Sequence, residues 1–461
     1  MQTITKFIYS ALAACTLAYF ALSPAVRAVD PPPDGGYPDG NTAEGDNALF
    51  SLTSGIQNTA LGFRALYSNT TAENNTAVGN RALESSTTGN GNTAIGVVAL
   101  QANTTGVSNT AAGLNALVSN TTGNWNTATG AAALSGNTTG IDNTATGTEA
   151  LGSNTAGDHN TATGRFALFS NNASDNTATG FQALYSNTTG TANTANGFNA
   201  LLANTTGTEN TALGAQTLAS NTIGIRNTAT GFNALVDNTG DENTANGNRA
   251  LEFNTTGANN TAVGSWALNS NTTGSANAAT GFAALGGNTT GSNNTATGSQ
   301  SLASNTTGVW NTATGFNALV LNTTGGSNSA VGRDALFANT TGGGNTAVGT
   351  FALNTNSSGN NNIAFGSGAS NHLTTGSNNI DIGNVGVAGE SNTIRIGTQG
   401  TQTKTFIAGV SATGVNGSAV KINGSGQLGV APSSARFKQE IQSMDKASDA
   451  LLGASTSDFP L

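Results

Sequence analysis

The chain of 461 residues is short of cysteine, charge and long apolar runs, and each shortage removes a class of protein from consideration. Cys15 is the only cysteine and lies within the first 28 residues, which are expected to be removed, so the mature chain has no disulfide to hold it together. Charged residues make up only 8% of the chain and form no basic stripe, which argues against a nucleic-acid partner. What the chain has in abundance is glycine, asparagine and threonine.

The first 28 residues are predicted to be a signal peptide. Lys6 is followed by a mostly apolar run from Phe7 to Leu22, and small residues precede a cut expected between Ala28 and Val29. The run is short for a membrane span, which needs about 20 residues. An outer-membrane lipoprotein with Cys15 as its lipidated N-terminus is an alternative that the apolar residues beyond Cys15 disfavour. The mature chain is acidic, with 14 − 2 = 12 basic and 23 acidic groups.

The next feature is a repeat of the form N-T-A-x-G-x-x-A-L-x-x-N-T-T-G-x-x, numbered here from position 1 at its first Asn. Twenty copies start between Asn41 and Asn362, and the copies at Asn160 and Asn227 are one residue short. Position 3 is always Ala and position 5 always Gly, while position 9 is Leu except at Ser370. Such strict short-period similarity is typical of a solenoid.

The repeat favours strands over helices, because each unit contains two glycines and several Asn and Thr residues. We expect an all-β parallel β-solenoid, or β-roll, of about twenty 17-residue coils. Each coil would hold two short strands, separated by turns at the position-5 Gly and at N-T-T-G. Ala at positions 3 and 8 and Leu at position 9 would point inward, with Asn and Thr in ladders. Stacking at about 4.8 Å would give a rod roughly 95 Å long.

The core of one such coil looks thin. A buried Leu contributes about 1.5–3 kcal/mol, whereas ordering 17 residues costs on the order of 25 kcal/mol. A core shared between chains would relieve this shortage, and Phe recurs at position 6 on one face. Those rings could instead cap the coil's own core. The residues are Phe63, Phe181, Phe198, Phe232, Phe282 and Phe316.

The pattern changes after the last copy. "NNIDIGNVG" and "NTIRIGTQG" start 14 residues apart and place Ile where the rod has small residues, so a change in the core is expected. "TFIAGV", "AVKING" and "GQLGV" are typical of short strands. The expected organisation is a signal peptide (1–28), a Pro/Gly-rich leader (29–40), the repeat solenoid (41–370), a β-rich neck (371–431) and a C-terminal segment (432–461).

The repeat N-T-A-x-G-x-x-A-L resembles the head repeats of trimeric autotransporter adhesins, whose parallel β-rolls form homotrimers. That resemblance implies an exported bacterial surface or fibre protein that acts as a structural rod or adhesin. It also implies a homotrimer and a host-surface, glycan or matrix ligand.

The segment ending in "SSARFKQEI" resembles the start of an endosialidase-type intramolecular chaperone, a self-cleaving family found on phage tail spikes. The resemblance assigns Ser433 as the nucleophile and Lys438 as its helper, with the cut after Pro432. The sequence soon departs from the family pattern, and what remains predicts one short amphipathic helix. We therefore expect no enzyme activity. A self-cleaving tail-fibre-like protein is the alternative, and a new N-terminus at Ser433 would identify it.

Other chemistry is not indicated. His159 and His372 are isolated in the sequence and are expected to be exposed turn residues, so no metal or cofactor is predicted. The N-x-T triplets are expected to be turn and ladder positions. Trp125 and Trp310 fall at variable position 17, where an exposed ring could contact a sugar.

Threonine suggests a further alternative. Thr-Ala-Thr occupies positions 2–4 in four consecutive copies, which would give two columns of outward hydroxyls. This arrangement resembles ice-binding solenoids and predicts an ice- or glycan-binding face. The candidate residues are Thr127, Thr129, Thr144, Thr146, Thr161, Thr163, Thr177 and Thr179.

Overall fold

The computed structural model describes residues 38–407 and 420–430, in two units that divide between Arg395 and Ile396. The first unit contains a parallel β-solenoid. Each coil contributes one three-residue strand, and each strand from the first to the twentieth pairs in parallel with the next. Equivalent residues lie opposite one another, as Ala60 lies opposite Ala77. The predicted all-β solenoid of 17-residue coils is confirmed.

The solenoid is preceded by a 3₁₀ turn at Pro38–Gly40. The strands are β1 (Thr42–Glu44), β2 (Thr59–Leu61), β3 (Thr76–Val78), β4 (Thr93–Ile95), β5 (Thr110–Ala112), β6 (Thr127–Thr129), β7 (Thr144–Thr146), β8 (Thr161–Thr163), β9 (Thr177–Thr179), β10 (Thr194–Asn196), β11 (Thr211–Leu213), β12 (Thr228–Thr230), β13 (Thr244–Asn246), β14 (Thr261–Val263), β15 (Ala278–Thr280), β16 (Thr295–Thr297), β17 (Thr312–Thr314), β18 (Ser329–Val331), β19 (Thr346–Val348), β20 (Ile363–Phe365), β21 (Ile380–Ile382), β22 (Ile394–Ile396), β23 (Val420–Ile422) and β24 (Leu428–Val430).

The prediction of a second strand in each coil is wrong. Positions 5–12 form two consecutive turns, closed in one coil by hydrogen bonds from Ala65 N–H to the Gly62 carbonyl and from Asn69 N–H to the Leu66 carbonyl. The backbone is left-handed at positions 7 and 9, with φ of 56° at Arg64 and 51° at Leu66. A strand needs negative φ at such residues, so this segment cannot be extended.

The apolar interior is complete within one chain. The position-3 alanines lie beside the position-9 leucines, and both columns are buried along the rod. Position 8 is buried too, and its two hydroxyl residues find carbonyl partners: Thr217 donates to Gly214 at 2.7 Å and Ser301 donates to Gly298 at 2.9 Å. The inward orientation predicted for these three positions is confirmed.

Asparagine supplies a second, polar interior. The position-1 residue Asn109 accepts from Asn126 Nδ2 at 3.1 Å and donates to the Gly123 carbonyl at 2.8 Å. The position-12 residue Asn120 donates to that same carbonyl at 3.0 Å and to Asn103 Oδ1 at 2.9 Å. Both Asn columns are fully buried, and buried amides are tolerated when they are hydrogen-bonded. The predicted Asn ladders are confirmed.

The two 16-residue coils keep the register because the missing residue comes from the N-T-T-G turn. Thr161 pairs with Thr177 as any other strand residue does. In that coil Ala173 occupies position 15, which is Gly in every other copy except at Ala72, and its carbonyl accepts from Asn171 and Asn160, each at 2.8 Å. The turn therefore absorbs the deletion without disturbing the strands.

The C-terminal end of the solenoid differs from the sequence interpretation. The ladder continues beyond residue 370 to β21, and Asn379 occupies position 1 of that coil, with its Oδ1 accepting from Thr393 N–H at 3.1 Å. The Ile residues do not enter the core there. Ile382 points outward, whereas Asp381 takes the buried position that Ala holds elsewhere. The core does change character, but through Asp381.

The second unit contains an antiparallel hairpin, in which β23 pairs with β24. The strands expected in "AVKING" and "GQLGV" are confirmed. In "TFIAGV", residues 405–407 form no strand and residues 408–410 lie outside the described part. The signal peptide and the short C-terminal helix lie outside it as well.

Candidate binding surfaces

The strand face presents the side chains of positions 2 and 4. All eight candidate threonines lie on it, exposed, on either side of a buried Ala in β6, β7, β8 and β9. The strands are in register, so Thr127 lies opposite Thr144 and Thr129 opposite Thr146. The structure thus brings the eight residues together as two parallel columns.

A second threonine surface, missed by the sequence analysis, lies at positions 13 and 14 of the N-T-T-G turn. The position-13 hydroxyls are engaged, since Thr121 Oγ1 donates to the Thr138 carbonyl at 3.0 Å and other coils repeat this bond. The position-14 residues, such as Thr122, are exposed. The Asn of each N-T-T triplet is buried, which confirms that these triplets are turn and ladder positions.

The turn face, formed by positions 6, 7, 10 and 11, carries most of the aromatic rings. All six position-6 Phe side chains are exposed, from 38% at Phe181 to 54% at Phe282. The largest cluster stacks Phe169 on Tyr185 at 5.3 Å and Phe181 on Phe198 at 5.7 Å between ring centroids. Further along, Trp266 and Phe282 flank a shallow depression of about 360 Å³. These rings are available to a partner.

Charged side chains lie mainly on the turns and form ladders along the rod. Arg226 reaches Glu209 at 2.9 Å and Glu242 at 3.3 Å, and the hydrogen bond to Glu209 is the main reason that the pKa of Arg226 is raised. His159 lies between Asp142, at 3.8 Å, and Asp175, at 3.4 Å.

Both histidines are exposed, as predicted, but His159 is not isolated, because coil stacking brings distant acids to it. No cluster of three or more potential metal-ligating side chains occurs within residues 38–407 and 420–430. Trp125 and Trp310 are 54% and 65% exposed.

Asp381 is the one charged residue in the buried columns of the described solenoid. The Ser370 hydroxyl, which replaces the usual Leu at position 9, donates to Asp381 Oδ2. Burial raises the pKa of the Asp381 carboxyl above its ordinary value, Glu390 adds to this, and Ser370 and Arg395 oppose it. Arg395 forms a bidentate ion pair with Glu390 and lowers the pKa of that carboxyl. The Asp in "IDIG" was the sequence signal for this site.

Ser433 and Lys438 lie outside the described residues. In the described part, no helix has the length and apolar character needed to span a bilayer. No family model, curated protein or solved structure matches this chain.

Proposed function

We propose that this chain is an exported bacterial surface or fibre protein whose solenoid acts as a structural rod that holds adhesive surfaces away from the cell. The observation that supports this most is the uninterrupted parallel ladder from β1 to β21. Its inward positions are nearly invariant, whereas positions 6, 7, 10, 11, 16 and 17 vary from coil to coil. A constant interior with a variable exterior suits a scaffold that displays contacts along its length.

Lateral association belongs to the same proposal. The inward columns are buried within a single chain, so a homotrimer would form through exterior groups rather than through a shared core. The turn face supplies such groups in its exposed phenylalanines, and exposed aromatic clusters favour protein contacts. Light scattering on mature chain 29–461 tests this: a mass of three chains supports the homotrimer, and a mass of one chain removes it.

The signal peptide predicted at residues 1–28 supports export, and the exposed outward positions of the solenoid support adhesion. Cell fractionation and N-terminal sequencing are expected to find the chain at the cell surface or outside the cell, beginning at Val29. A host-surface, glycan or matrix ligand would bind the variable positions, where exposed Trp125 and Trp310 are suited to contacts with sugars.

A rod function is tested by changing the length of the rod. Deleting residues 160–327 removes ten whole coils and joins position 17 at His159 to position 1 at Asn328. The register is preserved, so the shortened chain is expected to fold and to project about 48 Å less at about 4.8 Å per coil. Electron tomography of cells displaying each chain measures the projection.

Deleting residues 160–319 is the matched control, because it joins position 17 to position 10 and breaks the register. That chain is expected to lose the β ladder at the junction, with hydrogen-exchange protection lost in the coils on either side of it. A whole-coil deletion that leaves both projection and adhesion unchanged would refute the rod function.

A further inference from the structure

The strand face is almost free of charge. In the outward positions of β1–β21, Glu44 is the one ionisable residue, and it lies in the first coil. The remaining outward residues are mainly Thr, with Val, Leu, Ile, Ala and Asn, one Ser (Ser329) and one Phe (Phe365), while the other solenoid charges lie chiefly on the turns. A neutral face of this length suits a neutral partner, because a charged ligand would find no counter-ion on it.

The eight threonines of β6–β9 form the most regular part of this face, and are called here the threonine array. They are all exposed and flank Ala128, Ala145, Ala162 and Ala178. Their hydroxyls make no hydrogen bond to any other described residue, in contrast to position 13, where Thr138 Oγ1 donates to a carbonyl at 2.9 Å. The array therefore presents methyl groups and hydroxyls without a partner among the described residues to the solvent.

Register gives the array a two-dimensional repeat. Paired strands place equivalent threonines about 4.8 Å apart along the rod, and residues two apart in a strand lie about 6.6 Å apart on the same side. Each hydroxyl or methyl group on this grid contributes little binding energy, so many of them bind together only to a partner with a similar repeat. Β-branched side chains have few rotamers, so the grid loses little entropy on binding. Ice is one neutral partner with a regular two-dimensional repeat.

A crystalline polysaccharide is the other periodic neutral partner. Sugar rings stack on aromatic side chains, and β6–β9 hold none, since most aromatic rings of the solenoid lie on the turn face. We propose that the threonine array binds ice, through water ordered by its hydroxyl and methyl groups. This is a binding activity additional to the structural role.

The test uses mature chain 29–461 in a nanolitre osmometer and an ice-recrystallisation assay. Wild type is expected to shape ice crystals and to show thermal hysteresis. Thr146→Tyr with Thr163→Tyr places two bulky rings in the centre of the array and is expected to reduce the hysteresis severalfold. Because both residues are exposed, the melting curve by circular dichroism should stay unchanged.

Thr122→Tyr with Thr139→Tyr is the matched control, since these exposed threonines lie at position 14 of the turn. It is expected to keep wild-type hysteresis. Absence of ice activity in wild type would overturn the proposal, as would equal loss in both variants. Binding of wild type to crystalline chitin or cellulose without ice activity would also overturn it, and would assign the face to a polysaccharide.

Discussion

The two glycine columns provide the sharpest test of how the coil is built. An added Cβ at position-5 Gly197 would lie 2.4 Å from the Gly214 carbonyl oxygen. At position-15 Gly207 it would lie 2.4 Å from Asn204 Oδ1 and 2.5 Å from the Gly224 carbonyl oxygen. By distance alone, the two Gly→Ala changes should cost the same. They differ in backbone conformation, because Gly197 has φ of 145°, which side chains rarely adopt, and Gly207 does not.

The sequence supports this distinction. Ala72 and Ala173 stand naturally at position 15, whereas position 5 is glycine in all twenty copies. The position-15 turn can therefore shift to admit a methyl group. At Gly197 the strain adds about 1–3 kcal/mol, and moving the strand weakens the 2.8 Å bond from its N–H to the Thr179 carbonyl, which contributes about 1 kcal/mol.

We therefore expect Gly197→Ala to lower the local free energy of unfolding by about 2–4 kcal/mol and Gly207→Ala by about 1 kcal/mol or less. Native-state hydrogen exchange measures both. A difference of about 2 kcal/mol would appear as roughly 30-fold lower amide protection in the coils around Gly197. Equal losses of protection would refute the reasoning, because they would mean that steric contact and not backbone conformation sets the glycine requirement.

Three further changes test the interior. Leu235→Ala should cost about 2–5 kcal/mol through the cavity it leaves, with hydrogen-exchange protection lost mainly in adjacent coils; a loss spread evenly along the rod would contradict local stacking. Asn120→Ala should cost about 1–3 kcal/mol, measured by thermal melts, by leaving the Gly123 carbonyl one donor short; an unchanged melting curve would contradict the ladder's role. The pKa of Asp381 is raised in the folded state, so folding favours the protonated carboxyl. The stability that this group contributes is present below its unfolded pKa of about 4 and is lost as the pH rises through its folded pKa. Asp381→Asn should therefore protect residues 363–382 better than wild type at pH 7 and equally near pH 3; no difference at pH 7 would refute it.

The repeat made the fold predictable because its constraints are local and recur. A position that holds Ala or Leu in nearly every coil has a side chain of constant size, which indicates that it is buried. The inward columns were predicted on this basis. The register followed from the period, since a fixed number of residues per coil brings identical residues opposite each other.

The features that the sequence did not reveal depend on the sign of the backbone angle φ and on the stacking of one coil on the next. Leu at position 9 favours a strand by pattern, yet it lies at φ near +50° throughout the rod, as at Leu66 and Leu83. Nothing in a hydrophobic pattern reports the sign of φ. Likewise, Asp142 and Asp175 meet His159 only because coils stack, and Asp381 enters the core because the last register starts at Asn379.

Cryo-electron microscopy of mature chain 29–461 tests the central claim most directly, since that claim is a continuous single-chain ladder. The account predicts a rod segment about 100 Å long, with 21 coils at about 4.8 Å spacing and one chain passing through every coil. A coil whose interior columns are completed by residues from a second chain, or a particle without this repeat, would contradict it.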